Sequence, residues 1–241
     1  IRDLVRSRGL GDVYKRQADR LLSVHGSDSQ IALAVREVAD AYYYYTEDYY
    51  KAGELYQWID QHGSGAESMW VQRGLVMTHL RQADYAAADA ALEKLRSDYA
   101  NHPRLALALH EAADAYFYVG NDPSRARQVY EQILQDCPEC TESMWAQRGL
   151  ALTALDLGDK ADADTAVKQL LSNYTNHPQI AFAIREVADR YFYQGNDPVR
   201  ACALYQCILL YWPESLETMA AQRGLAMAKV LSGENEIAKE A

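Results

Sequence analysis

IALAVREVADAYYYY from Ile31, LALALHEAADAYFYV from Leu105 and IAFAIREVADRYFYQ from Ile180 are near-copies of one another. Their apolar residues recur at helical rather than strand spacing. In the third copy Ile180, Ala183, Ile184, Val187, Ala188 and Tyr191 fall on one face of a 3.6-residue helix. Downstream, Ala201, Leu204, Tyr205 and Ile208 form a second stripe of the same kind. Between the two stripes stands Gly195-Asn196-Asp197-Pro198, matched one copy earlier by Gly120-Asn121-Asp122-Pro123. Glycine there is expected to end one helix in the left-handed conformation, Asp to cap the next, and Pro to occupy its first turn. The pattern predicts two short helices joined by a tight corner.

A second block alternates with the first: ESMWVQRGLVM from Glu67, ESMWAQRGLAL from Glu142 and ETMAAQRGLAM from Glu217. Its Gln-Arg-Gly-Leu core starts at Gln72, Gln147 and Gln222, a period of 75 residues. Two blocks within that period make the structural unit about half as long, which suits a helix-turn-helix repeat. The predicted class is all-α, an α-solenoid of stacked antiparallel helical hairpins.

The spacing within each unit resembles the tetratricopeptide repeat, which carries a small residue, an aromatic four places on and a closing proline. Ala126, Tyr130 and Pro138 meet that pattern, as do Ala201, Tyr205 and Pro213. Ala52 and Tyr56 begin it, but Ser64 stands where the proline belongs. Asp40, Asp114 and Asp189 replace a glycine that the family carries in its first helix. The resemblance covers nearly everything from residue 18 onward. It implies a superhelix with hairpins at about 31–62, 66–101, 105–138, 142–176, 180–213 and 217–241, the last incomplete.

The first 17 residues, IRDLVRSRGLGDVYKRQ, match nothing in the repeats and hold five basic and two acidic residues. They resemble peptides translated from sequencing adapters in environmental reads, so a non-native leader is expected there. The remainder is expected to be an internal fragment of a longer array. With the whole chain at a net charge of -10, residues 18–241 carry -13.

Hydrophobic residues at 49% and charged residues at 24% are ordinary globular proportions and exclude a disordered chain. No stretch reaches the roughly 20 continuous apolar residues of a membrane helix. The acidic balance argues against nucleic acid, where affinity comes mainly from cationic side chains displacing counterions. An RNA-binding hairpin array would need a basic inner face. No phosphate loop, nucleophile elbow or metal-ligand cluster is present, and residues that recur three times do not make the single site an enzyme needs. No catalytic residue, metal or cofactor is therefore expected.

Of four cysteines, Cys137 and Cys140 flank Pro138-Glu139 at the spacing of a redox or half-zinc motif. No second Cys-x-x-C accompanies them, and Pro138 already closes a repeat. Cys202 and Cys207 read as small core residues. His102 and His177 each precede a proline in a turn.

In the family that this chain resembles, first helices line a concave face on which peptides or partner helices lie. That resemblance implies a protein-binding scaffold. The alternative is the repeat arm of a larger enzyme or envelope-assembly protein; the sequence leaves the compartment open. One face of the first helices carries Glu37, Arg73, Glu111, Arg148, Glu186 and Arg223, alternating in sign. Neighbouring helices pack about 8–10 Å apart, so these residues can form an ion-pair ladder, or a charged clamp for a peptide terminus or phosphate. Alternation favours the ladder, because it cancels the field that a clamp requires. Tyr43, Phe117 and Phe192 fall in the apolar stripe, whereas Tyr44, Tyr118 and Tyr193 lie one residue further round, toward the groove. Trp70 and Trp145 stand one turn before Arg73 and Arg148, either as interface anchors or as packing between hairpins.

Overall fold

A computed structural model describes residues 30–62 and 67–232. The leader 1–17, the stretch up to residue 29, Ser64 and residues 233–241 lie outside the described residues. The chain divides into two compact units between Asn121 and Asp122.

In the first unit, α1 (Ile31–Ala41) runs into a π-helical turn (Tyr42–Thr46), followed by α2 (Tyr49–His62), α3 (Ser68–Arg81), α4 (Tyr85–Asp98) and α5 (Leu105–Tyr118). Each helix packs on its successor, and α3 also packs on α5. The second unit contains α6 (Pro123–Asp136), α7 (Thr141–Asp156), α8 (Lys160–Asn173), α9 (Ile180–Tyr193), α10 (Pro198–Tyr211) and α11 (Thr218–Ser232). There α6 packs on α7, α7 on α8 and α9, α9 on α10 and α11, and α10 on α11. Both units are all-α stacks of hairpins, the α-solenoid class, in which stability comes mainly from neighbour-to-neighbour burial.

One corner design recurs between the helices of a hairpin. A residue with positive φ is followed by an Asp that caps the next helix. Glu47, Ala83, Asn121, Gly158 and Asn196 hold φ of 54°, 58°, 49°, 79° and 44°. The Asp carboxylates at 48, 84, 122, 159 and 197 accept from Lys51 N, Ala87 N, Arg125 N, Asp162 N and Arg200 N at 2.9–3.1 Å. Pro123 and Pro198 open α6 and α10, where a missing N–H costs nothing. The expected left-handed Gly120 and Gly195 are not found: Asn121 and Asn196 take that conformation, which Asn tolerates through local side-chain hydrogen bonding. The glycines serve close approach instead. A Cβ on Gly120 would lie 3.0 Å from Tyr116 O, and one on Gly195 would lie 3.1 Å from Tyr191 O. In the first copy Thr46 stands where those glycines stand, and its Cβ cannot enter that space. The backbone widens into the π-turn, with the N–H of Glu47 bonding to Tyr42 O.

The tyrosines of α2, α6 and α10 decide how successive hairpins meet. Tyr56, Tyr130 and Tyr205 are each at most 1% exposed. A Cβ on Gly74, Gly149 or Gly224, in the first helix of the next hairpin, would come within 2.5 Å of the corresponding ring. The Gln-Arg-Gly-Leu glycine is therefore the socket for the preceding hairpin's tyrosine. The ring's hydroxyl turns back to its own hairpin: Tyr56 OH donates to Asp40 at 2.5 Å, Tyr205 OH to Asp189 at 2.6 Å. The same aspartates accept from Arg36 at 2.6 Å and Arg185 at 2.5 Å. Those arginines also reach Glu67 and Glu217 of the following hairpin. In the middle copy His110 replaces the arginine, 3.7 Å from Asp114. At Asp40 and Asp189 the residue that departs from the family pattern thus anchors the tyrosine whose ring fills the next glycine.

Candidate functional site

The first helices of the hairpins, α1, α3 and α5 in one unit and α7, α9 and α11 in the other, carry the candidate row. Arg73 and Arg148 are buried, at 6% and 5% exposure. An unpartnered guanidinium at that depth would be costly, and each is compensated on several sides. Arg73 pairs with Glu111 at 3.2 Å and Asp40 at 3.5 Å, donates to Tyr44 OH at 3.0 Å, and lies 5.5 Å from the centre of the Trp70 ring. Arg148 pairs with Glu186 at 2.9 Å and lies 5.2 Å from the Trp145 ring centre.

Within each unit, then, the alternating row supplies a cross-helix pair of a buried arginine and a half-buried glutamate, α3 to α5 and α7 to α9. Burial alone would lower the Arg73 pKa, but Glu111, the neighbouring tyrosines and Asp40 more than offset it, so the guanidinium stays charged. Burial pushes the Glu111 carboxyl up, with Arg73 opposing. The two ends of the row, Glu37 and Arg223, are exposed.

The aromatics separate as the periodicity predicts. Tyr43, Phe117 and Phe192 are buried, while Tyr44, Tyr118 and Tyr193 are 53%, 52% and 62% exposed. Each buried ring meets its exposed neighbour edge-on at 4.8–4.9 Å between centroids. Trp70 and Trp145 are half-buried. Trp145 packs edge-on against His177 at 6.4 Å and Phe182 at 6.0 Å, so it bridges to the next hairpin as well as facing Arg148.

Between the π-turn and the C-terminal ends of α3 and α5 opens a cleft of about 380 Å³. Tyr43, Tyr44 and Tyr49 line it together with Met77, Ala115 and Val119. Glu47, Glu111 and Asp114 supply carboxylates, and Arg81 the single guanidinium of the lining. Arg81 lies 4.9 Å from the centre of the Tyr49 ring and donates to Tyr43 OH at 3.4 Å. Sequence reasoning did not mark Glu47, Tyr49, Met77 or Arg81. A signal existed: the first copy reads Thr46-Glu47-Asp48-Tyr49 where the others read Gly-Asn-Asp-Pro.

The Cys137-x-x-Cys140 turn is held by hydrogen bonds. Cys140 Sγ donates to Cys137 O at 3.0 Å, and Ser143 Oγ donates to the same carbonyl at 2.6 Å. The hydrogen bond with the Cys140 thiol pushes the Cys137 thiol up to about 11. Among the described residues no group of three His, Cys, Asp or Glu is placed to hold a metal. None of the described helices is long and apolar enough to cross a membrane. Cys202 is buried and Cys207 half-buried.

A family model for the tetratricopeptide repeat matches residues 107–139, which span most of α5, the Gly120–Pro123 corner and α6 through Pro138. The same Ala-Tyr-Pro spacing recurs at Ala201, Tyr205 and Pro213 on α10. Residues 107–139 thus form a tetratricopeptide repeat. A crystal structure of the tetratricopeptide-repeat domain of P58(IPK) is similar over 97% of this chain and 67% of that one, at 13% identity and a TM-score of 0.40. No curated protein matches the chain. The tetratricopeptide repeat is a protein-interaction scaffold kind of fold, generally without catalysis of its own.

Proposed function

We propose that the chain holds a peptide or partner protein on the face formed by its first helices, the face that is concave in tetratricopeptide arrays. One observation supports this most: Tyr44, Tyr118 and Tyr193 recur at the same place in three hairpins, each more than half exposed. Three large exposed rings at repeated positions suit interface anchors, because Tyr contributes contact area with few torsions to freeze. In the first unit Tyr44 is bonded to the buried Arg73, which fixes it before any partner arrives. Preorganisation of that kind lowers the ordering cost of binding. The candidate surface comprises Glu37, Tyr44, Trp70, Arg73, Glu111 and Tyr118 in one unit. Trp145, Arg148, Glu186, Tyr193 and Arg223 are the corresponding candidates in the other unit, taken by itself. The buried arginines position the surface, and the exposed aromatics touch the partner. The acidic chain disfavours nucleic acid as that partner.

Selection of displayed peptides against the full chain tests this. Binders should lose at least tenfold in affinity to the Tyr44→Ala/Tyr118→Ala/Tyr193→Ala variant while its thermal midpoint stays within a few degrees. Binders indifferent to that variant, and sensitive instead to changes on α4 or α8, would place the docking surface elsewhere.

A further inference from the structure

We infer that the tyrosine cleft of the first unit receives a lysine or arginine side chain of the docked protein segment, so that the partner is basic at this point. The inference rests on the first-helix face being the docking surface and adds what one part of it recognises. Tyr43 is the middle ring of three: Tyr44 stands 4.9 Å away at 75°, Tyr49 5.2 Å away at 62°. Rings at such angles are walls around a space rather than a closed stack. The negative faces of aromatic rings attract cations. Arg81 shows that these rings accept one, since its guanidinium already lies over Tyr49.

Charge points the same way. The lining holds three carboxylates, Glu47, Glu111 and Asp114, against the one guanidinium of Arg81. Arg73 answers part of the Glu111 charge, but it is itself shared with Asp40 and is too buried to meet a ligand. An acidic segment entering here would face three like charges. A cationic side chain would meet aromatic faces and carboxylates together, and charge complementarity of this kind selects partners more than it adds raw affinity.

The site belongs to the first copy alone. Pro123 and Pro198 stand where Tyr49 stands, and Asp156 stands 75 residues beyond Arg81. The third ring and the Arg81 contact therefore do not recur, and one such site per chain is expected. Tyr49 is the first residue of α2, a position at which proline is tolerated and which the other copies fill with proline. Tyr49→Pro thus removes the ring while keeping the corner that the protein already uses elsewhere.

The test uses the full chain and fluorescein-labelled, end-blocked Gly-Lys-Gly-Arg-Gly peptides, with versions carrying Glu or Gln in place of both basic residues. The basic peptide should bind with one site per chain. Its affinity should fall more than tenfold in Tyr49→Pro and severalfold in Glu47→Gln, and remain unchanged in Tyr211→Ala, an exposed tyrosine of the second unit. Equal loss in all three variants, or none in Tyr49→Pro, would reduce the binding to diffuse attraction by an acidic chain and overturn the inference. Preference for the Glu or Gln peptide with the same Tyr49→Pro sensitivity would overturn the cationic assignment while leaving the docking surface standing. Binding by none of the three, with displayed binders still sensitive to Tyr44→Ala, would do the same.

Discussion

Ala83 holds φ of 58° at the corner between α3 and α4, the place that Gly158 occupies at 79° one repeat later. A left-handed alanine costs about 1–2 kcal/mol, because its Cβ crowds the following carbonyl. Nothing lies within 4 Å of where a Cβ would sit on Gly158, so the strain is a backbone matter and not one of space. Ala83→Gly should therefore raise stability by about 0.5–1 kcal/mol once the larger unfolded-state freedom of glycine is subtracted. A rise in the urea midpoint at constant slope checks this; an unchanged or lower midpoint would mean that the corner carries no strain. Sequence reasoning placed the corners at 120–123 and 195–198 and their Asp122 and Asp197 caps, because both depend on neighbours within five residues. It assigned the left-handed residue to glycine rather than Asn, since the space around Gly120 and Gly195 is set by Leu80 and by the backbone of Tyr116 and Tyr191, which a linear pattern does not display.

Between elements, the decisive contact is the tyrosine of one hairpin seated on the glycine of the next. In the second unit a Cβ on Gly149 would lie 2.4 Å from the Tyr130 ring, far inside any real contact. Since both residues are in packed helices, the ring or the helix must shift. Gly149→Ala should cost about 1–3 kcal/mol by overpacking, outweighing the gain in helix propensity. Shrinking the ring relieves the clash, so Gly149→Ala combined with Tyr130→Leu should lose less than the two single losses added together. Chemical denaturation of the four proteins reads this coupling, and strict additivity would remove the seat. Both residues were visible as repeat positions. Their pairing was not, because they come from different blocks and only packing brings them together.

Across the molecule, several buried tyrosines make stability fall in alkali. Burial first, and then the carboxylates that accept their hydroxyls, push Tyr56, Tyr191 and Tyr205 far above the ordinary tyrosine value near 10. Tyr56 belongs to the first unit, Tyr191 and Tyr205 to the second. With folded pKa values raised, their contribution is complete below pH 10 and is lost as pH climbs beyond it, because the unfolded chain then releases protons that the folded chain retains. Each such tyrosine steepens the loss by about 1.4 kcal/mol per pH unit. Titration at 295 nm should show these tyrosines among the 18 ionising only with unfolding. Tyr205→Phe should lower stability at pH 7 by about 1 kcal/mol and flatten the alkaline fall by one proton. An unchanged slope would mean that Tyr205 ionises while folded.

The all-α repeat class, the alternation of two blocks, the Asp caps and the division into buried and exposed aromatics were determined by sequence alone. Each is a short-range pattern, fixed by helical period or by capping chemistry within a turn. Only the tertiary structure decided that Asp40 and Asp189 hold the tyrosines of α2 and α10, and that Gly74, Gly149 and Gly224 are sockets. It also decided that Arg73 and Arg148 are buried rather than displayed, and that the π-turn gathers Tyr43, Tyr44, Tyr49 and Arg81 around one cleft. These depend on which residues 16 to 38 positions apart come into contact, and that is set by how hairpins stack.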